Sequence, residues 1–529
     1  MSEFGVVERE PAVRAALDDA KVGPVGTELA ARPIPRPSSS ASTKDFAGAA
    51  LVAGAGPAGM AVAISLANLG QRVLVLERSA SPRPSPGETL PPKIEPLLEL
   101  LGVADSVREA GFARMRGFRV AAPDSVERFE LDPDEGRQGF QVDRRVFDEL
   151  LRNHARELGV EFREGVGLID VDLSGPNPVA ILSTCEQIRA PFVLDATGAA
   201  ARTSRTLNTR ERGLTRTAAL TAWFSGSSTL DPSDPNEGLL EIRPDGWLYS
   251  ARRSDGLRNV TIALDADAVR GAPEDAFFWM LGRSHWVGPL VWGGSRETPV
   301  LTASATRSWT RPTGHPGLLA VGDASCVIDP LTTQGVYKAL CSGLAAAAVV
   351  HTSLERQADR ELAAEYYSES ERTLFGAYSG VMARIAAPLA ASEFWSARLA
   401  DYGPAPTDEN EQSARRSALL TAVQTLPGPR IRARLSPMAR VVERPVAENG
   451  WVVRGRKILD PTGEPLQLGE CSVPALVSVL DGRALPEIFD GYAAATDTIP
   501  SAALGKSIMK ALLTLAEHRA LEWHTDAPQ

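Results

Sequence analysis

A glycine-rich segment is placed where a phosphate-bearing cofactor would bind. Gly54-Ala55-Gly56-Pro57-Ala58-Gly59 has the spacing GxGxxG, follows the apolar run 48–53 and opens a helical pattern over 58–69. In a strand–turn–helix unit the first glycine permits the tight turn and the second lets the backbone approach a pyrophosphate. The third lets helix and strand pack closely, and the free N–H groups at the helix start bind the phosphates. The motif alone is weak, but this context predicts a dinucleotide site.

An acidic residue at the end of the next apolar run extends the pattern. The run 71–77 ends at Glu77, which lies 18 residues after Gly59 and is followed by Arg78. A carboxylate at this position can accept hydrogen bonds from ribose hydroxyls. We therefore include Glu77 and Arg78 among the candidate cofactor-binding residues.

Two later segments carry further candidates. Asp323 follows the apolar run 318–321 and offers acceptors for the ribityl chain of a flavin. The stretch from Pro330 to Gly335 and Val336 starts a long apolar helix, whose positive end would stabilise an anionic reduced flavin. A strand that ends in Leu194-Asp-Ala-Thr-Gly198 is expected on the adenine side.

In this order and at these separations, the three motifs resemble the class A flavin monooxygenases and flavin-dependent halogenases, which have a p-hydroxybenzoate-hydroxylase-like fold. The resemblance spans roughly residues 48–400. It implies FAD as cofactor, O2 as co-substrate, and NAD(P)H or a separate flavin reductase as electron source. Asp143-Arg-Arg-Val-Phe-Asp148 matches the superfamily's D-R-x-x-F-D, so the resemblance gives Arg144 a flavin-contacting role.

A narrower resemblance involves the segments 87–92, 244–250 and 329–340. They are similar to the flavoproteins that mature tryptophylquinone-containing enzymes by hydroxylating a tryptophan in a protein substrate. By its family position near the flavin, Glu88 is the candidate catalytic residue. The alternative for Glu88 is a loop carboxylate that caps the helix starting near Pro91.

The absence of a suitably placed lysine favours hydroxylation over halogenation. The resemblance implies that both reactions proceed through a flavin C4a-hydroperoxide. Halogenases also use a lysine some 25–30 residues beyond the Gly-Glu pair, where the stretch 109–119 contains arginines and no lysine. Arginine stays protonated and cannot replace that amine. Lys93 follows Glu88 by only five residues, so it is out of place.

The sequence thus predicts an FAD-dependent monooxygenase that hydroxylates an aromatic group, such as a tryptophan in a peptide or protein precursor. Two alternatives within the enzyme class are a flavin-dependent halogenase and a hydroxylase of a small aromatic molecule in secondary metabolism. An alternative of another class is a non-catalytic flavoprotein chaperone of a peptide partner.

The expected fold class is α/β, with a Rossmann-like FAD-binding domain, an inserted β-sheet substrate domain, a helical segment and a small α+β module. We predict a disordered tail over 1–45 and the FAD domain over 46–360, with its inserted sheet at about 205–310. A helical segment and linker follow over 361–430. The module over 438–529, read as three strands and then three helices, is similar to winged-helix domains that bind leader peptides. A structural cap is the alternative.

Composition and charge argue against several other classes of function and of site. The net charge of −10, without a basic cluster, argues against nucleic-acid binding. The four cysteines are widely spaced, without CxxC pairs or nearby histidines, so we expect no metal site. We find no secretory signal at the N-terminus and no run of 18 uncharged apolar residues, so we expect no membrane association and a cytoplasmic protein.

Overall fold

The computed structural model describes residues 43–80, 86–115, 117–122, 125–130, 139–228, 237–403, 409–425, 430–466, 468–469 and 471–525. Its strands are β1 (Thr43–Asp45), β2 (Ala50–Ala53), β3 (Val73–Glu77), β4 (Thr89–Leu90), β5 (Ala113–Met115), β6 (Gly117–Ala122), β7 (Ser125–Glu130), β8 (Gly139–Gln141), β9 (Glu161–Glu164), β10 (Leu168–Asp172), β11 (Val179–Leu182), β12 (Gln187–Arg189), β13 (Phe192–Asp195), β14 (Arg210–Arg212), β15 (Thr217–Ser225), β16 (Gly238–Arg243), β17 (Gly246–Arg252), β18 (Arg258–Asp265), β19 (Ser295–Arg296), β20 (Leu301–Ser304), β21 (Ser308–Thr310), β22 (Leu318–Ala320), β23 (Cys326–Val327), β24 (Ile431–Leu435), β25 (Arg440–Glu448), β26 (Trp451–Leu459), β27 (Asp481–Ala484) and β28 (Leu521–Thr525).

Its α-helices are α1 (Pro57–Asn68), α2 (Glu95–Leu100), α3 (Ala104–Glu109), α4 (Arg144–Glu157), α5 (Arg202–Thr206), α6 (Pro273–Gly282), α7 (Val287–Val291), α8 (Gly335–Glu355), α9 (Arg360–Ala386), α10 (Glu393–Tyr402), α11 (Glu409–Thr425), α12 (Val473–Val479), α13 (Leu485–Ala495) and α14 (Ala502–Glu517).

A parallel sheet in the order β22-β13-β2-β3-β9 forms the frame of the predicted FAD-binding region. Strands β2 and β13 are buried at every position, which explains their continuous apolar runs. The carboxyl ends of β2 and β13 lie side by side, because Ala53 pairs with Asp195. This edge carries the glycine turn, so the predicted Rossmann-like frame is confirmed.

Helices α1 and α8 pack closely against one face of this sheet. A Cβ added at Gly343 of α8 would lie 2.6 Å from Ala61 Cβ and 2.7 Å from Ala58 O. Small residues on both helices therefore set the position of α1, whose first turn faces the candidate phosphate site. The described helices include none that is both long and apolar enough to cross a membrane.

A second, larger sheet has the order β19-β15-β18-β17-β16-β6-β7, with β20 also paired to β15. Strands β6 and β7 precede α4 in the chain, and β6 pairs in parallel with β16. The sheet is therefore not confined to the predicted segment 205–310. One face packs on α6 and α7, and the other packs on α9 and α10.

The predicted disordered tail ends earlier than the sequence suggested. Residues Thr43–Asp45 form β1, which pairs in parallel with Gln187–Arg189. The partner strand is 144 residues away, so the local composition of the tail gave no sign of it. The remainder of the predicted tail lies outside the described residues.

In the C-terminal region the hairpin and three helices predicted from the sequence are present. The turn residues Asn449 and Gly450 both have positive φ angles, 50° and 81°, as a two-residue hairpin turn requires. The predicted order of three strands and then three helices was wrong in three respects. Strand β27 lies between α12 and α13, strand β28 follows α14, and the third predicted strand, expected at 465–468, contributes only a bridge between Leu459 and Pro465.

The β25–β26 hairpin packs against the core that contains α1 and α8. Val452 is fully buried in the same core as α1 and α8, and its N–H donates to Thr352 Oγ1 at 2.8 Å. The Trp451 ring lies 4.2 Å from the His351 ring, and the Arg356 guanidinium lies 3.8 Å from the Trp451 centroid. The hairpin therefore packs on the carboxyl-terminal half of α8 and stabilises its position.

Candidate functional site

The three glycines of the turn after β2 have different structural roles. Gly54 has φ 114°, and Gly59 is so close to Gly54 that an added Cβ would lie 1.9 Å from its carbonyl oxygen. The backbone conformation at Gly54 and the close packing at Gly59 therefore each require glycine. Gly56 has φ −83°, and no atom lies within 4 Å of a Cβ built there. The open space at the start of α1 fits a pyrophosphate approaching the backbone.

Contacts on both sides hold this turn in place. Glu77 accepts hydrogen bonds from the N–H groups of Ala55 and Ser79, each at 2.9 Å. Arg152 Nε donates to the Ala55 carbonyl at 3.0 Å and is largely buried. Glu77 thus lies where the sequence placed it, and its carboxylate already orients the turn.

Arg78 and Arg152 show the limits of the sequence prediction. Arg78 is exposed, and its Cβ packs beside Gly167 rather than the glycine turn. Arg152 was missed; it lies eight residues after Arg144 on α4, about 80° away around the helix axis, so the position of Arg144 did not point to it.

Asp323 is held by a buried lysine. Lys338 Nζ donates to Asp323 Oδ1 at 2.8 Å; the lysine side chain has no exposed surface, whereas the Asp323 side chain is 44% exposed. One side of the carboxylate therefore faces the buried Lys338 ammonium, and the other side is exposed. That arrangement fits the predicted acceptor for ribityl hydroxyls.

The segment that leads into α8 is also fixed. Asp329 caps the short turn Pro330–Thr332 by accepting from Leu331 N–H at 3.0 Å, and it accepts from the Tyr402 hydroxyl at 2.7 Å. Burial raises the pKa of Asp329. Gly335 begins α8 with no atom within 4 Å of an added Cβ, so there is open space at the amino end of this helix.

Arg144 lies between the segment at Gly87 and the start of α8. Its guanidinium forms a two-point ion pair with Asp148, at 2.9 and 3.0 Å, and donates to the Pro86 carbonyl at 2.9 Å. A Cβ built on Gly87 would lie 3.1 Å from Arg144 Nη1 and 3.9 Å from Val336 Cγ2. The structure therefore brings Gly87, Arg144 and Val336 together at one place.

Glu88 is the centre of a buried polar cluster rather than a helix cap. Only 2% of the residue is exposed, and its carboxylate accepts from Trp223 Nε1 at 2.9 Å and from Arg253 Nη1 at 2.8 Å. Arg253 also lies 3.2 Å from Asp143 and is bonded to Asp255. Burial raises the pKa of Glu88 to about 7, although Arg253 and Trp223 both act to lower it.

Two buried amide atoms near these segments have no hydrogen-bond partner in the described part of the chain. They are Gln141 Nε2 and Gln334 Oε1. Gln141 is next to Glu88 in space, since its Oε1 accepts from Thr89 Oγ1 at 2.7 Å. An unpaired buried donor and acceptor are unfavourable unless a ligand pairs with them. Together with the open space at Gly56, they fit a cofactor that has both a pyrophosphate and a hydrogen-bonding ring.

The described arginines of the stretch 109–119 are engaged in structural contacts. Arg114 pairs with Glu95 at 3.1 Å, with its guanidinium carbon 4.1 Å from the Phe140 centroid, and Arg119 pairs with Glu237 at 2.6 Å. Arg116 lies outside the described residues. Lys93 packs its ammonium 4.1 Å from the Tyr337 centroid, and burial lowers its pKa.

A small cavity of about 10 Å³ lies beside Asp329, lined in part by Arg307, Phe375 and Tyr402. This volume holds about one water molecule, so an indole ring does not fit without movement of the lining side chains.

Comparison with known proteins agrees with this geometry. The family model described as "FAD binding domain" matches residues 48–377. A tryptophan 2-halogenase from Chondromyces crocatus is 28% identical over 366 residues, which span 66% of this chain and 70% of that protein.

Solved structures share the fold. The flavin-dependent halogenase CmlS superposes with a TM-score of 0.73 at 21% identity, covering 92% of this chain and 96% of its own. The peptidyl tryptophan dihydroxylase QhpG, essential for tryptophylquinone cofactor biogenesis, gives a TM-score of 0.58 at 22% identity. That superposition covers 88% of this chain and 98% of QhpG.

Proposed function

The chain belongs to the FAD-binding domain family, as an oxidoreductase of the flavin monooxygenase and halogenase superfamily, and from this premise we propose that it hydroxylates a tryptophan side chain in a peptide or protein precursor. When bound and reduced, FAD would activate O2, and one oxygen atom of O2 would be transferred to the substrate. The two electrons come from NAD(P)H or from a separate flavin reductase.

The protein's own contribution is to hold the cofactor, orient the aromatic ring and exclude water. Gly54–Gly59 and Glu77 hold the pyrophosphate and ribose, and Asp323 holds the ribityl chain. Arg144, Pro330, Gly335 and Val336 would hold the ring system of the flavin. These assignments rest on the open space at Gly56, the half-exposed carboxylate of Asp323 and the open start of α8.

We assign proton handling to Glu88. Hydroxylation of an indole carbon requires that the ring carbon later lose its proton, and a carboxyl group with a pKa of about 7 suits that task at neutral pH. Glu88 already accepts the indole N–H of Trp223 at 2.9 Å. A substrate indole that displaced Trp223 would exchange one N–H···O hydrogen bond for another of the same kind.

The observation that carries the choice of hydroxylation is the lack of a lysine in the described part of 109–119, where Arg114 and Arg119 are held in ion pairs. The test combines the full-length protein, FAD, a reductase system, O2, bromide and a panel of tryptophan-containing peptides. We expect a product that gains oxygen and no bromine, detected by mass spectrometry, and we expect Glu88→Gln to lower its yield.

A halogenase is the second candidate because the Chondromyces relative is named as one and because the Lys93 ammonium lies 4.1 Å from the Tyr337 ring of α8. A brominated product that disappears in Lys93→Met would establish halogenation and refute hydroxylation. FAD binding without oxygen consumption on any peptide would instead support the chaperone alternative.

The C-terminal module is proposed as the peptide-binding part of the protein. Within the described chain, β25 pairs only with β26, so its other edge has no strand partner and is the candidate position for an added peptide strand. Anisotropy of labelled peptides titrated with the full-length protein tests this. Competition between a peptide that is hydroxylated and one that only binds would separate recognition from catalysis.

A further inference from the structure

Lys338 breaks two ordinary preferences of protein structure. Its side chain has no exposed surface, and it lies in the first turn of α8, which begins at Gly335. A positive charge near a helix amino terminus is opposed by the helix dipole, and a buried ammonium group is unfavourable unless it is paired. Residues that break such local preferences are often retained for function.

The surrounding groups compensate for this charge. Lys338 Nζ donates to Asp323 Oδ1 at 2.8 Å and to the Cys326 carbonyl. Glu371 of α9 is also buried and interacts with the same ammonium, and burial raises the pKa of Glu371. Asp323 is the only one of these three partners that the proposed site brings into contact with a cofactor.

The backbone of the loop that carries Asp323 is held mainly by Arg210, and Lys338 adds one contact through its hydrogen bond to the Cys326 carbonyl. The guanidinium of Arg210 donates to the carbonyls of Asp323 at 2.8 Å, Ala324 at 2.6 Å and Ser325 at 3.3 Å. A change at Lys338 should therefore act mainly on the direction and charge of the Asp323 carboxylate.

We propose that Lys338 is a positioning residue that directs the Asp323 carboxylate towards the ribityl chain of FAD and neutralises its charge beside the reduced flavin. This inference rests on the proposed position of the cofactor. Without Lys338, Asp323 would present an uncompensated negative charge to a flavin that becomes anionic on reduction. The oxidised form would then be favoured.

The test is Lys338→Met in the full-length protein, with Lys457→Met as the matched control. Lys457 is a partly buried lysine that pairs with Glu369 at 3.3 Å. Flavin fluorescence gives the FAD affinity, spectroelectrochemistry gives the reduction potential, and thermal unfolding of the apoprotein gives stability. We expect about tenfold weaker binding of oxidised FAD and a further tenfold loss for reduced FAD. That further tenfold loss corresponds to a reduction potential about 30 mV more negative for a two-electron couple.

The double variant Lys338→Met/Asp323→Asn separates a charge effect from a packing effect. We expect its potential to return towards the wild-type value, because the uncompensated carboxylate is gone. An unchanged potential in Lys338→Met, or no recovery in the double variant, would overturn the inference.

Asp323→Asn alone carries the test if Lys338→Met does not fold. It leaves the Lys338 charge uncompensated, so we expect a more positive potential, and an unchanged potential would overturn the inference. A wild-type protein that does not bind FAD would refute the proposed function instead.

Discussion

The substitution Gly56→Ala separates cofactor binding from folding. Gly56 has φ −83° and ψ −178°, which alanine adopts without strain, and no atom lies within 4 Å of the new Cβ. Replacing glycine at such a position restricts the unfolded chain and stabilises a protein by about 0.4–1 kcal/mol. We therefore expect an apoprotein that unfolds at the same temperature or slightly above it.

The same methyl group would occupy the space assigned to the pyrophosphate. Moving the phosphates away from the start of α1 lengthens their hydrogen bonds to backbone N–H groups, and bonds to charged groups contribute about 1.5–3 kcal/mol each. Loss of two such bonds weakens binding by about 3–6 kcal/mol, which is on the order of 10²–10⁴ in the dissociation constant.

Gly59→Ala is the matched comparison. Its Cβ would lie 1.9 Å from the Gly54 carbonyl oxygen, so we expect the apoprotein itself to be destabilised by about 1–3 kcal/mol or more. Circular dichroism measures unfolding, and flavin fluorescence measures binding. If Gly56→Ala bound FAD as tightly as the wild type, or unfolded as readily as Gly59→Ala, the assignment of the phosphate site would be wrong.

Three further predictions concern charge and hydrogen bonding. Burial raises the folded-state pKa of Glu88 from 4.5 to about 7, so the stability linked to this residue is fully present below about pH 4.5 and is lost as the pH rises through 7. Glu88→Gln should remove this pH dependence of the free energy of unfolding, measured with urea on either side of pH 7. An unchanged pH profile in the variant would contradict the prediction. Arg253→Met leaves Glu88 and Asp143 without their shared cation, so we expect a loss of about 3–5 kcal/mol in the same assay, partly recovered by adding Glu88→Gln. Thr352→Val deprives the buried Val452 N–H of its acceptor and should reduce stability by about 1–3 kcal/mol, with retained FAD binding as the control.

The elements that form the proposed cofactor site were largely predictable because their sequence signals are local. The glycine spacing, the apolar run before it and the acidic residue after β3 all lie between positions 48 and 77, and the structure joins them through the hydrogen bond from Ala55 to Glu77. Helix and strand limits followed from hydrophobic patterns to within a few residues, as for β13 at Phe192–Asp195. The specific roles of the site residues remain predictions until they are tested.

The partners of Glu88 could not have been found in this way. Trp223 and Arg253 lie 135 and 165 residues further along the chain, on the large sheet and at the end of β17. Neither residue belongs to a sequence motif, and a tryptophan within an apolar strand usually indicates no more than core packing. The packing of the β25–β26 hairpin on α8 was missed for the same reason, because Val452 and Thr352 are 100 residues apart.

The position of Arg253 implies that the two layers of the enzyme are coupled. Its guanidinium contacts Glu88 beside the proposed flavin site, Asp143 at the start of α4, and Asp255 in the turn that follows β17 of the large sheet. Movement of that sheet to admit an aromatic ring would carry Arg253 and Asp255 together and would disturb the contacts of Arg253 with Glu88 and Asp143. It would thereby change the charge environment of Glu88. Substrate entry and the protonation of Glu88 should therefore depend on each other, and the apparent pKa near 7 should shift when a peptide binds.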